Sequence, residues 1–99
     1  MLIGVLGLSL WRDVGGEWWL EVRPERGWRL NDEAGRGRAL RVKLEGGEVR
    51  TGEDAVGWRA ETRLGLGGGE RPRGEVEVLL CAAERCMRVR RAIPGAEER

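Results

Sequence analysis

The sequence predicts an all-β fold: an antiparallel β-sandwich or small barrel of about seven or eight short strands. Three observations carry this. Apolar residues recur at every second position through most of the chain, the mark of strands with one buried and one solvated face. Glycine-rich punctuation separates these runs, and turns at such spacing favour a sandwich or barrel. No 3.6-residue period is sustained anywhere.

Taken in order, the elements read as follows. The N-terminal MLIGVLGLSLW is apolar for ten residues. A spanning helix needs ~20, and a signal peptide needs a basic n-region and a small-residue cleavage site, so this stretch is expected to be a first strand. In EWWLEVRP, Trp18, Leu20 and Val22 point one way and Trp19, Glu21 and Arg23 the other. In ALRVKLE, Leu40, Val42 and Leu44 alternate with Arg41, Lys43 and Glu45. WRAETRLGL sets Trp58, Ala60, Thr62, Leu64 and Leu66 against Arg59, Glu61 and Arg63. EVEVLL offers Val76, Val78 and Leu80 to the core, and CMRVRRAI offers Met87 and Val89. Turns are expected at 13–17, 45–48 and 65–74. The segment 31–38 is the one place for a short helical turn. PGAEER (94–99) reads as a frayed tail on a single domain spanning 1–99.

Composition narrows the chemistry. The 99 residues are 40 % hydrophobic and 35 % charged, with a formal net charge of +1. That is neither a membrane protein nor a disordered tail. The arginines are interleaved with acids, whereas a nucleic-acid binder usually carries a basic excess. The chain has no His, which removes the commonest general base and the His-paired nucleophiles, so a hydrolytic site is not legible. Lys43 is the sole lysine beside many arginines; this bias fits a GC-rich or thermophilic source and carries no mechanistic weight. Trp18 and Trp58 are expected in the core, Trp28 at one end of the sandwich, and Trp11 and Trp19 where they could contribute to a docking surface.

The two cysteines, Cys81 and Cys86, stand five positions apart in EVEVLLCAAERCMRVRR. Structural zinc wants four Cys or His ligands, so no metal is expected, and no cofactor. A four-residue tip, Ala82 to Arg85, would set the cysteines opposite each other, close to disulfide range. Such a bridge closes a loop of only about six residues and stabilises little in the chain-entropy model. A structural bridge, a reduced pair and a redox pair therefore all stay open. Arg85, Arg88 and Arg90 surround Cys86 in sequence, and positive charge favours the thiolate that attacks in disulfide exchange. The plain reading of the same arginines is a basic edge strand that resists aggregation.

Three stretches resemble the N-terminal, extracytoplasmic domain of bacterial transmembrane thiol:disulfide interchange proteins, the DsbD family. They are LEVRPERGWRLN (20–31), with Arg29 where the family often has His, LRVKLEGGEV (40–49), and GEVEVLLCAAERCMRVRRAIP (74–94) with its closely spaced cysteine pair. The resemblance implies an immunoglobulin-like β-sandwich and a Cys81/Cys86 pair that shuttles between disulfide and dithiol without a cofactor. Cys86 would form mixed disulfides with partners and Cys81 would resolve them. Partners would be thioredoxin-like or transmembrane thiol:disulfide proteins, in the periplasm or cell envelope, with this domain a monomer. The family's cap loop looks matched by TGEDAVGW (51–58), where Glu53 and Asp54 would supply its acids and Ala55 and Val56 replace its aromatics. The alternative is a non-catalytic binding or structural β-sandwich whose hairpin disulfide only rigidifies a tip.

Overall fold

The computed structural model describes residues 4–31, 33, 35–58 and 61–95. Among them, β1 (Leu6–Arg12), β2 (Trp18–Pro24) and β6 (Thr62–Gly67) form one antiparallel sheet in the order β1-β2-β6. The second sheet holds β3 (Arg29–Leu30), β4 (Leu40–Leu44), β5 (Val49–Thr51), β7 (Gly74–Cys81) and β8 (Cys86–Ala92). β7 organises it. β8 runs along one side of β7; on the other side β4 pairs with Gly74–Val78 and β3 with Leu80 and Cys81, while β5 lies beyond β4. All pairings are antiparallel, and the two sheets form a β-sandwich.

The core is what the alternation predicts. Leu10, Leu20, Val22 and Leu64 from the first sheet meet Leu30, Leu40, Val42, Val76, Val78, Leu80 and Val89 from the second in one buried cluster. Trp18 is buried as expected, and its indole Nε1–H donates to Gly69 O at 3.0 Å. Thr62 is also buried.

Four local readings change. The strand expected from Trp58 begins at Thr62, after the bend at Gly57; Arg59 and Ala60 lie outside the described residues. Trp58 instead packs half-buried on Gly52 beneath the Arg36 guanidinium, 5.2 Å from the ring centroid. A Cβ at Gly52 would come within 2.9 Å of that indole. Glu21 keeps the outer side it shares with Arg23 but is 8 % exposed rather than wet, because β2 is flanked on both sides and its carboxylate turns to Arg23 at 3.1 Å. Met87, read as core, is 38 % exposed, because β8 has a neighbour on one side only. The turn expected to start at Gly65 starts after Gly67, at whose φ of 85° β6 ends; a bulge opposite Trp18 and Trp19 absorbs the extra residue.

The helical turn expected within 31–38 is a single turn, α1 (Arg36–Ala39), while Asp32 and Ala34 fall outside the described residues. At 13–17, Asp13 builds the turn: its carboxylate accepts the backbone N–H of Gly15 and Glu17, each at 2.9 Å, and the indole N–H of Trp19 at 2.9 Å. These bonds, with Trp19 foremost, hold the Asp13 carboxyl below its ordinary value. Trp19 stacks on Trp11 across the strands on the outer face of the sheet. Of the C-terminal stretch expected to fray, 94–99, only Pro94 and Gly95 belong to the described residues. No helix among the described residues is long and apolar enough to cross a membrane.

Candidate functional site

Pairing Cys81 with Cys86 fixes the hairpin, because every other β7–β8 pair follows from it. Ala82 N–H donates to Arg85 O at 2.8 Å, so the irregular tip shrinks to Ala83 and Glu84. Hydrogen-bonded and non-hydrogen-bonded pairs alternate along an antiparallel ladder. The Ala82–Arg85 pair is bonded, so Cys81 and Cys86 occupy a non-hydrogen-bonded pair, where strands approach most closely. Their Cα atoms are 3.9 Å apart, and a disulfide joins the two sulfurs.

The bond lies on the face of the second sheet that points away from the core, since Val76, Val78 and Leu80 take the inner positions of β7. Its two ends differ. Cys81 is 6 % exposed, flanked by β8 on one side and by β3 on the other. Cys86 sits on the edge strand and is exposed.

The surrounding charges sort into two groups. Arg88 and Arg90 share the outer face with Cys86, and both are engaged. Arg88 Nη1 donates to Glu77 Oε1 at 2.9 Å, Arg90 Nη2 to Glu77 Oε2 at 3.1 Å, and Arg90 Nε lies 3.3 Å from Glu75. Arg88, then Arg90, hold the Glu77 carboxyl below its ordinary value. Arg85 lies over the Trp28 ring, 5.6 Å from its centroid. Arg29, by contrast, stands directly opposite Cys81 in register and lines the cleft beside the disulfide. Among the described residues Arg29 forms no ion pair.

That cleft is lined by Arg29, Asn31, Glu33 and the hairpin tip from Cys81 to Cys86. Glu53, Asp54 and Val56 are not among its lining residues. Glu53 and Asp54 belong to a 3-10 turn, Gly52–Asp54, that packs on α1, and Val56, 50 % exposed, bridges to Arg63. Trp58 anchors this loop from beneath through Gly52. A second cleft, lined by Leu44, Glu45, Leu66, Glu70, Pro72 and Arg73, opens at the far end of β7 and holds neither cysteine.

No protein-family model, no curated protein and no solved structure matches this chain.

Two features were absent from the sequence reading. Glu75 and Glu77 as counter-ions were legible in principle: once Cys81 faces Cys86, Glu77 must face Arg90. Arg29 beside Cys81 was not, because β3 reaches β7 from about fifty residues upstream and only tertiary structure joins them.

Proposed function

We propose that Cys81 and Cys86 form a redox-active disulfide, and that the chain is a thiol:disulfide exchange module passing reducing equivalents between partner proteins. One observation carries this reading: an exposed cysteine bonded to a buried one, across strands that six other register pairs already hold together. A bridge there stabilises little, whereas an exposed cysteine with a sheltered partner as leaving group suits exchange.

The chemistry balances without a cofactor. A partner thiolate attacks Cys86 Sγ; an intermolecular S–S bond forms as the Cys81–Cys86 bond breaks, and the electron pair leaves on Cys81 Sγ, which takes a proton from water. The partner's second thiolate then attacks its own half of the mixed disulfide and releases Cys86 as a thiolate, which takes the second proton from water. The partner dithiol is oxidised to a disulfide, and this chain gains two electrons and two protons. In reverse, Cys86 attacks a partner disulfide and Cys81 resolves the mixed species.

The resemblance to the DsbD family points the same way. It adds an immunoglobulin-like connectivity, thioredoxin-like or transmembrane partners, and an extracytoplasmic setting, where disulfides persist. A second reading, a binding or structural sandwich with a rigidified tip, draws on the pairing of Arg88 and Arg90 with Glu77, which fits an edge strand built for solubility.

Reduction separates the two: a structural bridge resists glutathione-range potentials, while a shuttle titrates within them. Trapping then tests the roles of the two cysteines. With oxidised glutathione as probe, Cys81→Ala should accumulate a stable glutathione adduct on Cys86, read by intact mass. Cys86→Ala should react much more slowly through its sheltered thiol. Equal reactivity of the two variants would remove the asymmetry on which the role assignment rests.

A further inference from the structure

The edge of β8 has a chemistry of its own. β7 lies along one side of it, and among the described residues no strand lies along the other. Six of its seven residues are exposed, and only Val89 is buried. The hydrogen-bond alternation decides which backbone groups face that open side. Ala82 N–H to Arg85 O at the tip, and Ile93 N–H to Gly74 O at the base, mark bonded pairs at the two ends of the hairpin. Counting by twos between them, Met87, Val89 and Arg91 turn their N–H and C=O groups toward β7. Cys86, Arg88, Arg90 and Ala92 turn theirs outward. The outward backbone thus belongs to the exposed cysteine and to the two arginines that follow it.

An edge of this kind is a template for one more strand. The side chains state which strand fits. Across the outer face the charges alternate from strand to strand: Arg41 on β4 faces Glu77 on β7, which faces Arg90 on β8. Lys43 on β4 likewise faces Glu75, which Arg90 also reaches. The row ends on a positive strand, so a complementary neighbour carries carboxylates. Arg88 and Arg90 can serve it while holding Glu77, because a guanidinium has five N–H donors and both side chains are more than half exposed.

A second copy of β8 does not fit. Every antiparallel register that pairs three or more of Cys86, Arg88, Arg90 and Ala92 with their own kind sets an arginine against an arginine. Like charges directly opposite destabilise a sheet.

We propose that the β8 edge docks an extended acidic strand of a thiol-bearing partner protein, antiparallel, with the partner's cysteine opposite Cys86. This rests on the exchange reading above and adds the partner's chemistry: a Glu-x-Glu-x-Cys pattern, whose two carboxylates meet Arg90 and Arg88 in turn. Main-chain hydrogen bonds supply affinity, and the charge row supplies register.

The test uses the oxidised wild-type chain and two synthetic peptides in which Ser replaces Cys, one carrying Glu-x-Glu-x-Ser and one Lys-x-Lys-x-Ser, so that no exchange intervenes. Binding is read by amide chemical shifts and hydrogen exchange. The Glu peptide should protect the amides of Cys86, Arg88 and Arg90, and bind about tenfold tighter than the Lys peptide, the effect of two attractive cross-strand pairs against two repulsive ones. Equal binding of the two peptides, no binding of either, or perturbation away from β8 would overturn the docking edge. Opening of the disulfide by dithiothreitol is followed separately. A chain that binds the Glu peptide but resists the dithiol would refute the exchange reading and leave the docking edge supported.

Discussion

Two residues, Arg29 beside the disulfide and Glu77 further along β7, decide how its electrostatics work. Sequence proximity favours Arg88 and Arg90 as the charges that stabilise a thiolate, yet both are shared with Glu77. Arg29 faces Cys81, the leaving sulfur, without such a partner among the described residues. Arg29→Glu should therefore slow opening of the disulfide by dithiothreitol roughly threefold to tenfold, since leaving-group basicity sets part of the rate. An unchanged rate in stopped-flow would mean that this cation does not act on the sulfur. Glu77 gives a pH signature. Its folded carboxyl is held below the ordinary 4.5, so its contribution to stability is present above that value and lost as pH falls through the lowered one. Thermal melts of wild type and Glu77→Gln should differ at neutral pH and converge well below pH 4.5; a gap independent of pH would show that the pairing does not stabilise the fold. These residues were only half legible in the sequence. Cys81, Cys86 and their hairpin could be read from spacing, but the neutralising glutamates required a register and Arg29 required a third strand.

At the scale of the element, the β7–β8 hairpin explains why the bridge is poorly suited to be a staple. The strands pair along seven positions, and the bond closes a loop of about six residues, which the chain-entropy model values at about 2 kcal/mol. Reduction should lower unfolding free energy by no more than about that amount and leave the circular-dichroism spectrum unchanged. Unfolding on reduction would instead identify a structural bridge. Strands with clean alternation, such as 40–44 and most of 74–81, were readable because one face is buried and the other is not. β3 and β5 were not, because two or three residues cannot display a period. Met87 misled because alternation gives the face of a residue but not whether anything covers that face.

Across the whole molecule, the sandwich fixes the site by dividing labour between its sheets. The first sheet covers the inner face of β7 and, on β8, Val89, and that burial sends Cys81, Cys86, Glu77, Arg88 and Arg90 to the outer face together. Fold class was legible at this scale because it depends only on the sum of many strand patterns and glycine turns. The loop bearing Glu53 and Asp54 was not, since its position follows from the packing of Trp58 on Gly52 and under Arg36. The central claim is that the disulfide is a working redox pair. Titrating the purified chain in glutathione buffers, with free thiols counted by mass after alkylation, tests it most directly. A working redox pair gives a reversible transition of both thiols together, near or somewhat below the glutathione range of about −200 to −260 mV. A pair that stays reduced throughout, or a bond that no such buffer opens, would contradict it.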